Sequence, residues 1–341
     1  MHGDQISASA ERCLLAYLSA DGRPPSGLDD NVDDGPAIQA AIVEGPGVIR
    51  IPPGFYRWSD VRVPAGVTVI GAADATVVRA CNDHHAIFDQ SGVGNWSIRD
   101  LVLDGEAQEP WLQRRDLGRV GLNISCSWGF AATGLTVRDF SGPGVRVSHT
   151  RLDNAAFCNG GVIDRITAIG NTVGVCFEER GEYVTLTNSH LMRNTTGCIL
   201  HAGNVKITQS NIGSNLDGIV IADKENGSHG VIGNCLINHN ERYALDCTGI
   251  TNGMTINACG IFYGGIRIRD CQGVQIAHCQ VYCPVKITGD HANGFVNNII
   301  TENDFEYEFS EATMVRGNMT STGDWRLNRQ PSDTAGSFEQ V

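Results

Sequence analysis

From about residue 94, short runs of alternating apolar and polar residues recur along the chain at intervals of roughly 20–30 residues. WGFAATGLTVRDFSGPGVRVSH (128–149) and EYVTLTNSHLMRNTTGCILHAG (182–203) are two of these units. Alternation with a period of two predicts strands with one buried and one exposed face. No helical pattern interrupts the units, and three short strands per repeat without a helix are typical of a solenoid. We therefore predict an all-β fold, a right-handed parallel β-helix.

Asparagines recur at the turns between these predicted strands. Stacked coils would bring equivalent turn positions close together, where amide side chains can hydrogen-bond from one coil to the next. The turn asparagines are Asn171, Asn188, Asn194, Asn211, Asn215, Asn238 and Asn240. They predict hydrogen-bonding ladders along the solenoid.

The ends of a solenoid need caps, because a terminal coil would otherwise expose its apolar core. DDGPAIQAAIVEG (33–45) predicts a short amphipathic helix, with Ile38, Ala41 and Ile42 on one face and Pro36 in the first turn. We expect an N-terminal segment with this capping helix over residues 1–45, the β-helix over 46–320 and a polar C-terminal tail over 321–341.

The stretch that begins at this helix resembles a known superfamily. DDGPAIQAAI, followed by GVIRIPPGFY and then GVTVIGAADATVV, is similar to the N-terminal signature of the pectate-lyase-like β-helix superfamily. Its members include polysaccharide-degrading enzymes, phage tailspikes, fructotransferases and mannuronan epimerases. The resemblance covers roughly residues 20–310 and implies the fold and a carbohydrate ligand. It does not select a reaction, because one fold hosts many chemistries.

The units can be aligned on the glycine that precedes the third strand of each. In one unit Ala244 takes the place of this glycine. In this alignment the outward-facing residues of the third strands form columns. The first and third residues after the glycine are apolar and predicted to point inside, so the second and fourth point outward. The second-position column is Arg146, Cys176, Ile199, Val220, Asp246, Arg267 and Lys286. The fourth-position column is Ser148, Glu178, His201, Ala222, Thr248, Arg269 and Thr288.

These columns supply the candidate site. The candidate catalytic residues, which include two from the adjoining turn positions, are Glu178, Glu179, His201, Asp223 and Asp246. The candidate substrate-binding residues of the same face are Arg146, Arg267 and Arg269. The alternative is a solvated surface, since outward strand positions are polar on any soluble sheet.

One turn is much longer than the others, LDGEAQEPWLQRRDLGRVG (103–121). Long loops on a rigid scaffold often carry binding residues. Trp111 can stack on a sugar ring, and Arg114 and Arg115 can pair with a carboxylate or sulfate. The alternative role for this loop is a cap or a subunit contact.

Charge and composition narrow the function classes. The net charge is −13 and no basic stripe is present, so we predict no nucleic-acid partner. No apolar run is long enough for a transmembrane helix, and no signal peptide is visible. The 12 cysteines form no CxxC pair, which favours reduced core thiols, a cytoplasmic or phage-associated protein and no metal site.

The chemistry stays open at this point. Hydrolysis of a glycosidic bond needs two carboxylates at a set separation, and several pairs among the candidates span one or two coils. β-Elimination needs a cation, or Ca²⁺ held by acids, beside a base such as His201. SNLDGI (214–219) and GIRIRD (265–270) are similar to fragments of the polygalacturonase pattern, which implies Asp217 as a site carboxylate, but the order and spacing depart from it.

We therefore predict a carbohydrate-active enzyme that cleaves or rearranges glycosidic bonds as a hydrolase, lyase or intramolecular transferase. No cofactor is expected, apart from Ca²⁺ in the case of a lyase. The alternative is a non-catalytic polysaccharide-binding spike like a phage tailspike. A homotrimer is a further expectation, taken from the tailspike resemblance.

Overall fold

The structure is a computed structural model that describes residues 11–81, 86–109, 111–113, 118–149, 158–222, 227–301 and 305–320. The predicted tail, 321–341, lies outside these residues. One α-helix and three short 3₁₀ helices are described beside the strands. The helices are α1 (Gly35–Val43) and the 3₁₀ turns Leu14–Ala16, Ala73–Ala75 and Trp111–Gln113.

Short strands make up about half of the described chain. In chain order they are β1 (Glu11–Cys13), β2 (Gly47–Arg50), β3 (Gly54–Arg57), β4 (Val67–Ile70), β5 (Thr76–Arg79), β6 (Ala86–Ser91), β7 (Ser97–Arg99), β8 (Val102–Asp104), β9 (Val120–Ser125), β10 (Ala131–Thr133), β11 (Thr136–Arg138), β12 (Pro143–Ser148), β13 (Gly161–Asp164), β14 (Thr167–Ile169), β15 (Val173–Glu179), β16 (Val184–Thr187), β17 (His190–Met192), β18 (Thr196–Ala202), β19 (Val205–Thr208), β20 (Asn211–Gly213), β21 (Asp217–Ala222), β22 (Gly230–Gly233), β23 (Leu236–Asn238), β24 (Tyr243–Thr248), β25 (Met254–Asn257), β26 (Gly260–Phe262), β27 (Ile266–Arg269), β28 (Val274–Ala277), β29 (Gln280–Tyr282), β30 (Val285–Thr288), β31 (Asn293–Val296), β32 (Ile299–Ile300), β33 (Tyr307–Phe309), β34 (Thr313–Arg316) and β35 (Met319–Thr320).

These strands form three parallel sheets that run the length of the molecule. Sheet A has the order β1-β2-β4-β7 and then every third strand to β34, and sheet B has the order β3-β5-β8 and then every third strand to β35. Sheet C runs from β6 through every third strand to β33. From β4 to β33 each coil contributes one strand to each sheet, and all pairings between the described strands are parallel. The predicted all-β fold, a right-handed parallel β-helix, is confirmed.

The core lies inside the coils, where the first and third residues after the aligned glycine of each sheet C strand point. The predicted inward pairs, such as Val175 with Phe177 and Cys198 with Leu200, are fully buried. Equivalent residues of neighbouring coils stack into one continuous apolar column. Burial of apolar side chains at about 25 cal/mol per Å² is the main term that stabilises such a column.

A ladder of buried asparagines stabilises the corner before sheet C. The backbone N–H and the Nδ2 of Asn171 both donate to Oδ1 of Asn194, at 2.9 and 3.1 Å. Asn194 donates in the same way to Asn215, and Asn215 to Asn240. The predicted ladder thus comprises these four asparagines, whereas the remaining turn asparagines of the prediction lie outside it. Every rung satisfies polar groups that would otherwise be buried without partners.

The glycine before each sheet C strand makes room for this ladder. A Cβ at Gly174 would lie 3.1 Å from Nδ2 of Asn194 and 2.5 Å from the carbonyl oxygen of Gly197. A Cβ at Gly218 would lie 2.7 Å from Nδ2 of Asn240. The ladder ends at Asn240, and at that coil Ala244 takes the place of the glycine. The repeat pattern in the sequence therefore has a steric cause.

The N-terminal end is closed by α1. Its predicted apolar face is confirmed, since Ala37, Ile38, Ala41 and Ile42 are buried against the first coil. Oδ1 of Asp33 accepts a hydrogen bond of 2.8 Å from the N–H of Gly35 at the start of the helix. Strand β1 pairs with β2 and extends sheet A one strand beyond the first coil.

Candidate functional site

The outer face of sheet C has the register that the sequence alignment predicts. Arg146 lies opposite Cys176, Cys176 opposite Ile199, and Ile199 opposite Val220. The column continues through Asp246, Arg267 and Lys286. In the fourth-position column, Glu178 lies opposite His201. The alternation within each strand therefore brings the predicted outward residues to one face.

A cleft of about 370 Å³ opens on the N-terminal half of this face and is called the N-terminal cleft here. Its volume lies in the range of small-ligand sites. It crosses strands β6, β9, β12, β15 and β18. Its lining residues are Ala86, Asp89, Gly118, Val120, Asn123, Pro143, Arg146, Cys176, Glu178 and Ile199.

Two polar clusters stand in the N-terminal cleft. Nε of Arg146 donates to Oε2 of Glu178 at 2.8 Å, and both side chains keep partial exposure to solvent. On the far side, Oδ1 of Asp89 accepts bonds from Nδ2 of Asn123 at 2.9 Å and from Oγ of Ser91 at 2.6 Å. The cleft thus presents two carboxylates, each held by a neighbour, on a strip of otherwise apolar residues.

The floor beside Glu178, on the side away from Asp89, is apolar. Cys176 is buried and Ile199 is half-buried, although both occupy outward positions. Burial raises the pKa of the Cys176 thiol well above its usual range, and the charge of Glu178 adds to this effect. The thiolate is the nucleophilic form of cysteine. Burial therefore disfavours the thiolate of Cys176, which lines the floor of the cleft.

The other predicted catalytic residues near Glu178 have different positions. His201 is half-buried and lies one strand away, directly opposite Glu178. Glu179 ends β15 in a left-handed backbone conformation, with φ of 53°, and is not among the residues that line the cleft. Asp223 lies outside the described residues. The described arrangement thus centres on Glu178, with Arg146 and His201 on neighbouring strands.

The long loop after β8 borders the N-terminal cleft. Gly118, near its end, lines the cleft directly. The carbonyl oxygen of Trp111 accepts a hydrogen bond from Oγ1 of Thr195, just before β18. Since β8 and β18 belong to coils three steps apart, the loop runs about 14 Å along the solenoid axis. Trp111 itself is half-buried and does not line the cleft, and Arg114 and Arg115 lie outside the described residues.

A second cleft, of about 190 Å³, lies on the same face toward the C-terminal end and is called the C-terminal cleft here. Its lining residues are Tyr243, Gly265, Ile266, Arg267, Pro284, Val285, Lys286, Glu306 and Glu308. Arg267 donates to both carboxylate oxygens of Asp246, at 2.8 and 2.6 Å, and to the hydroxyl of Tyr243 at 2.9 Å. Hydrogen bonding to Asp246 raises the pKa of Arg267.

Two of the predicted site residues at this end bind each other. Asp246 and Arg267 were expected to act separately on a substrate, but they form a two-bond ion pair with each other. Asp217 is held in the same way by Arg242. Arg269 is exposed, lies opposite Thr248 and Thr288, and does not line the cleft. Such two-bond pairs fix side-chain geometry as well as charge.

The distance between two of the predicted catalytic carboxylates excludes a joint role in glycoside hydrolysis. Glu178 on β15 and Asp246 on β24 are three strands apart, which corresponds to about 14 Å along the axis. The two carboxyl groups of a glycosidase stand about 5–9.5 Å apart. Glu178 and Asp246 therefore do not form such a pair.

The described residues hold no group of three or more His, Cys, Asp and Glu side chains placed to bind a metal ion. All twelve cysteines are free thiols, and nine are buried. In the part of the chain that the structure describes, no helix has the length and apolar character needed to span a bilayer.

Sequence reasoning missed the N-terminal part of the site. Asp89 and Asn123 belong to the second-position column, because Asp89 lies opposite Asn123 and Asn123 opposite Arg146. The signal was present in AIFDQS (86–91) and VGLNIS (120–125), which carry the same alternation. The long loop between β8 and β9 interrupts the repeat, so the columns predicted from the sequence begin only at Arg146.

Comparison with known proteins reveals similarity at the level of structure. No family model and no curated protein matches the sequence. Among solved structures, the tailspike protein of Escherichia coli bacteriophage HK620, solved in complex with a pentasaccharide, has a TM-score of 0.68 at 12% identity. The alignment covers 91% of this chain and 67% of the tailspike.

Two further solved structures share the architecture. The A-module of a mannuronan C-5 epimerase from Azotobacter vinelandii has a TM-score of 0.54 at 16% identity, with 91% of this chain and 95% of the module covered. A Geobacillus virus protein has a TM-score of 0.57 at 14% identity, with 91% of this chain and 60% of that protein covered. At these identities the likeness shows the fold alone, a right-handed parallel β-helix.

Proposed function

We propose that the protein binds a poly- or oligosaccharide along the outer face of sheet C and cleaves or rearranges a glycosidic bond in the N-terminal cleft. The observation that carries this proposal is the arrangement in that cleft, where the Glu178 carboxylate stands beside Arg146 above an apolar floor. Sugar rings combine apolar C–H faces with hydroxyl groups, and the cleft offers surfaces for both. The carbohydrate-bound tailspike and the epimerase have the same fold, which supports the ligand class.

Glu178 is the proposed acid–base residue. It lines the cleft, keeps contact with solvent and is oriented by the 2.8 Å bond from Arg146. A carboxyl group in this position can give a proton to a leaving oxygen or take one from a hydroxyl or a ring carbon. His201, on the next strand, is the proposed neighbour in proton transfer. Arg146 can also bind an oxygen of the sugar that carries negative charge as the bond breaks.

A binding spike without turnover is the second candidate. It is favoured by the distance of about 14 Å between Glu178 and Asp246 and by the two-bond ion pairs that hold Asp217 and Asp246. A spike needs a rigid, shaped surface, and carboxylates fixed by arginines supply rigidity without acid–base chemistry.

The test is incubation of the protein with neutral glycans, uronate polymers and fructans, with and without EDTA. Product masses and the ultraviolet absorbance of unsaturated uronates are followed together. Products that have gained one water identify a hydrolase, unsaturated products identify a lyase, and cleaved or cyclised products without added water identify an intramolecular transferase. Glu178→Gln should remove each of these activities. Measurable binding with no change in any glycan would overturn the enzyme and leave the spike.

A further inference from the structure

A row of aromatic side chains lies on the corner between sheets B and C. It consists of His239, Tyr263, Tyr282 and Phe305 and is called the aromatic ladder here. Successive ring centroids are 4.3, 5.2 and 5.2 Å apart, and the last two contacts are edge-to-face. Tyr263 is 45% exposed. Edge-to-face packing restricts the ring orientations, so the surface is ordered before any ligand arrives.

The aromatic ladder directly borders the C-terminal cleft. Gly265 follows Tyr263 by two residues, Pro284 follows Tyr282 by two, and Glu306 follows Phe305, and all three of these residues line the cleft. Tyr243 lies at the bottom of the cleft, with the guanidinium of Arg267 over its ring at 4.2 Å from the centroid. Three of the four ladder residues thus lie within two positions along the chain of residues that line the cleft.

The cations of this surface are each matched by an acid. The cleft is lined by two cations, Arg267 and Lys286, and by two anions, Glu306 and Glu308. Lys286 pairs with Glu308 at 2.6 Å, and Arg267 pairs with Asp246, which lies one strand away in the same column. Glu306 adds one further negative charge to the lining. Paired charges still offer donors and acceptors to hydroxyl groups but attract no net charge. Since the whole chain carries −13, an anionic polymer gains no long-range attraction here.

We propose that the aromatic ladder and the C-terminal cleft form a second carbohydrate subsite, which takes an uncharged sugar segment. The inference rests on the proposed function, because it assigns the other end of the same bound chain. Arg267 on β27 and Lys286 on β30 lie four and five strands from Glu178, or about 19 and 24 Å along the axis. An oligosaccharide reaches both clefts, whereas a disaccharide reaches one. The subsite therefore selects chain length as well as charge.

The experiment measures binding and turnover separately on the full chain. The probes are neutral hexasaccharides of glucose, galactose, mannose, xylose and rhamnose, their disaccharides, and hexamers of galacturonate and mannuronate. Tyr263→Ala is compared with Tyr183→Ala, which removes a tyrosine of similar exposure, 50%, at the opposite end of the sheet C strands. Circular dichroism and light scattering check the fold and the oligomeric state of each variant.

The expected result is a neutral hexasaccharide that binds more tightly than its disaccharide and than the uronate hexamers. Tyr263→Ala should weaken its binding about tenfold, as for truncation of an aromatic hot spot, and Tyr183→Ala should not change it.

Equal binding by Tyr263→Ala and the parent, or preference for a uronate, overturns the subsite even if the parent turns a glycan over. Loss of binding in Tyr263→Ala without turnover in the parent keeps the subsite and removes the enzyme. A change of oligomeric state in Tyr263→Ala assigns the ladder to a second copy of the chain, and binding of no probe overturns both proposals.

Discussion

The N-terminal and C-terminal clefts lie on the same face of one sheet, yet their acidic residues stand in different relations to arginine. Asp246 has Arg267 directly opposite in its own column, so one guanidinium reaches both carboxylate oxygens. Glu178 meets Arg146 diagonally, because Arg146 belongs to the second-position column, and the bond goes to Oε2. Directly opposite Glu178 stands His201.

The difference shows what decides the role of an outward acid on a β-helix. Neighbouring strands are about 4.8 Å apart, so a cation one coil away in the same column can form a direct hydrogen-bonded ion pair with the acid. An acid with such a partner becomes part of the scaffold. An acid whose column neighbour is a histidine, above a floor of Cys176 and Ile199, remains available to a ligand. The N-terminal cleft therefore suits chemistry, and the C-terminal cleft suits recognition.

The largest expected effect comes from an isosteric change of Glu178 in the N-terminal cleft, compared with the same change of Asp246, the partner of Arg267 at the C-terminal cleft. Glu178→Gln should lower turnover of the cleaved glycan by at least about 100-fold, because a general acid–base residue contributes roughly 10²–10⁴ in rate. Asp246→Asn should lower it by less than about tenfold, since Asp246 acts on Arg267 and not on the scissile bond. Initial rates at saturating substrate measure both.

Both variants need a fold control. Circular dichroism and hexasaccharide binding should match the parent for Glu178→Gln, because Gln keeps an acceptor oxygen for Arg146. A loss in Asp246→Asn as large as in Glu178→Gln would reverse the comparison and move the chemistry toward the C-terminal cleft.

The second effect concerns stability and runs in the opposite direction. Asp246→Ala should lower the free energy of unfolding by about 2 kcal/mol, since it removes two charged hydrogen bonds from a carboxylate that is 13% exposed. Glu178→Ala should cost less than about 1 kcal/mol, because its pair with Arg146 is more exposed to solvent. Urea titration of both variants measures the difference. Equal losses would show that the two ion pairs are equivalent and that geometry does not separate the clefts.

Much of this architecture can be predicted from the sequence, because strand alternation and the recurring glycine are both set by the interior. The glycine leaves room for the amide of the next asparagine, as Gly174 does for Asn194, so aligning on it gives the correct register. That register places Asp246 beside Arg267 in one column. The sequence therefore contains the signal for their ion pair, because opposite charges in one column and one coil apart are close enough to pair.

The aromatic ladder and the course of the long loop could not be predicted from the sequence. His239, Tyr263 and Phe305 lie outside the strands, whereas Tyr282 is the last residue of β29, so no common strand position aligns the four. The contact between Trp111 and Thr195 joins residues 84 positions apart through a backbone oxygen. Such a contact depends on the path of the loop, which no side-chain pattern encodes.

An effect that is absent at neutral pH tests what the two clefts share, a buried thiol near each floor. Burial raises the pKa of Cys176 well above its usual range and raises the pKa of Cys283, next to Pro284, to about 12. A free thiol ionises near pH 8.5. Above that pH the unfolded chain therefore binds fewer protons than the folded protein, so stability falls as the pH rises toward the folded pKa values.

Each thiol should contribute about 1.4 kcal/mol of lost stability per pH unit between roughly pH 9 and 11. Cys176→Ala and Cys283→Ala should each make the alkaline decline shallower by that amount, whatever their stability at pH 7, because a removed thiol no longer titrates. Cys13→Ala, which removes an exposed thiol, is the control. Urea titrations at pH 8, 9, 10 and 11 measure the slopes. A Cys176→Ala variant with the parent slope, beside a shallower Cys283→Ala, would mean that the thiol under the N-terminal cleft ionises in the folded protein. The floor of that cleft would then carry a charge next to Glu178, and the distinction between a reactive and a structural acid would have to include Cys176.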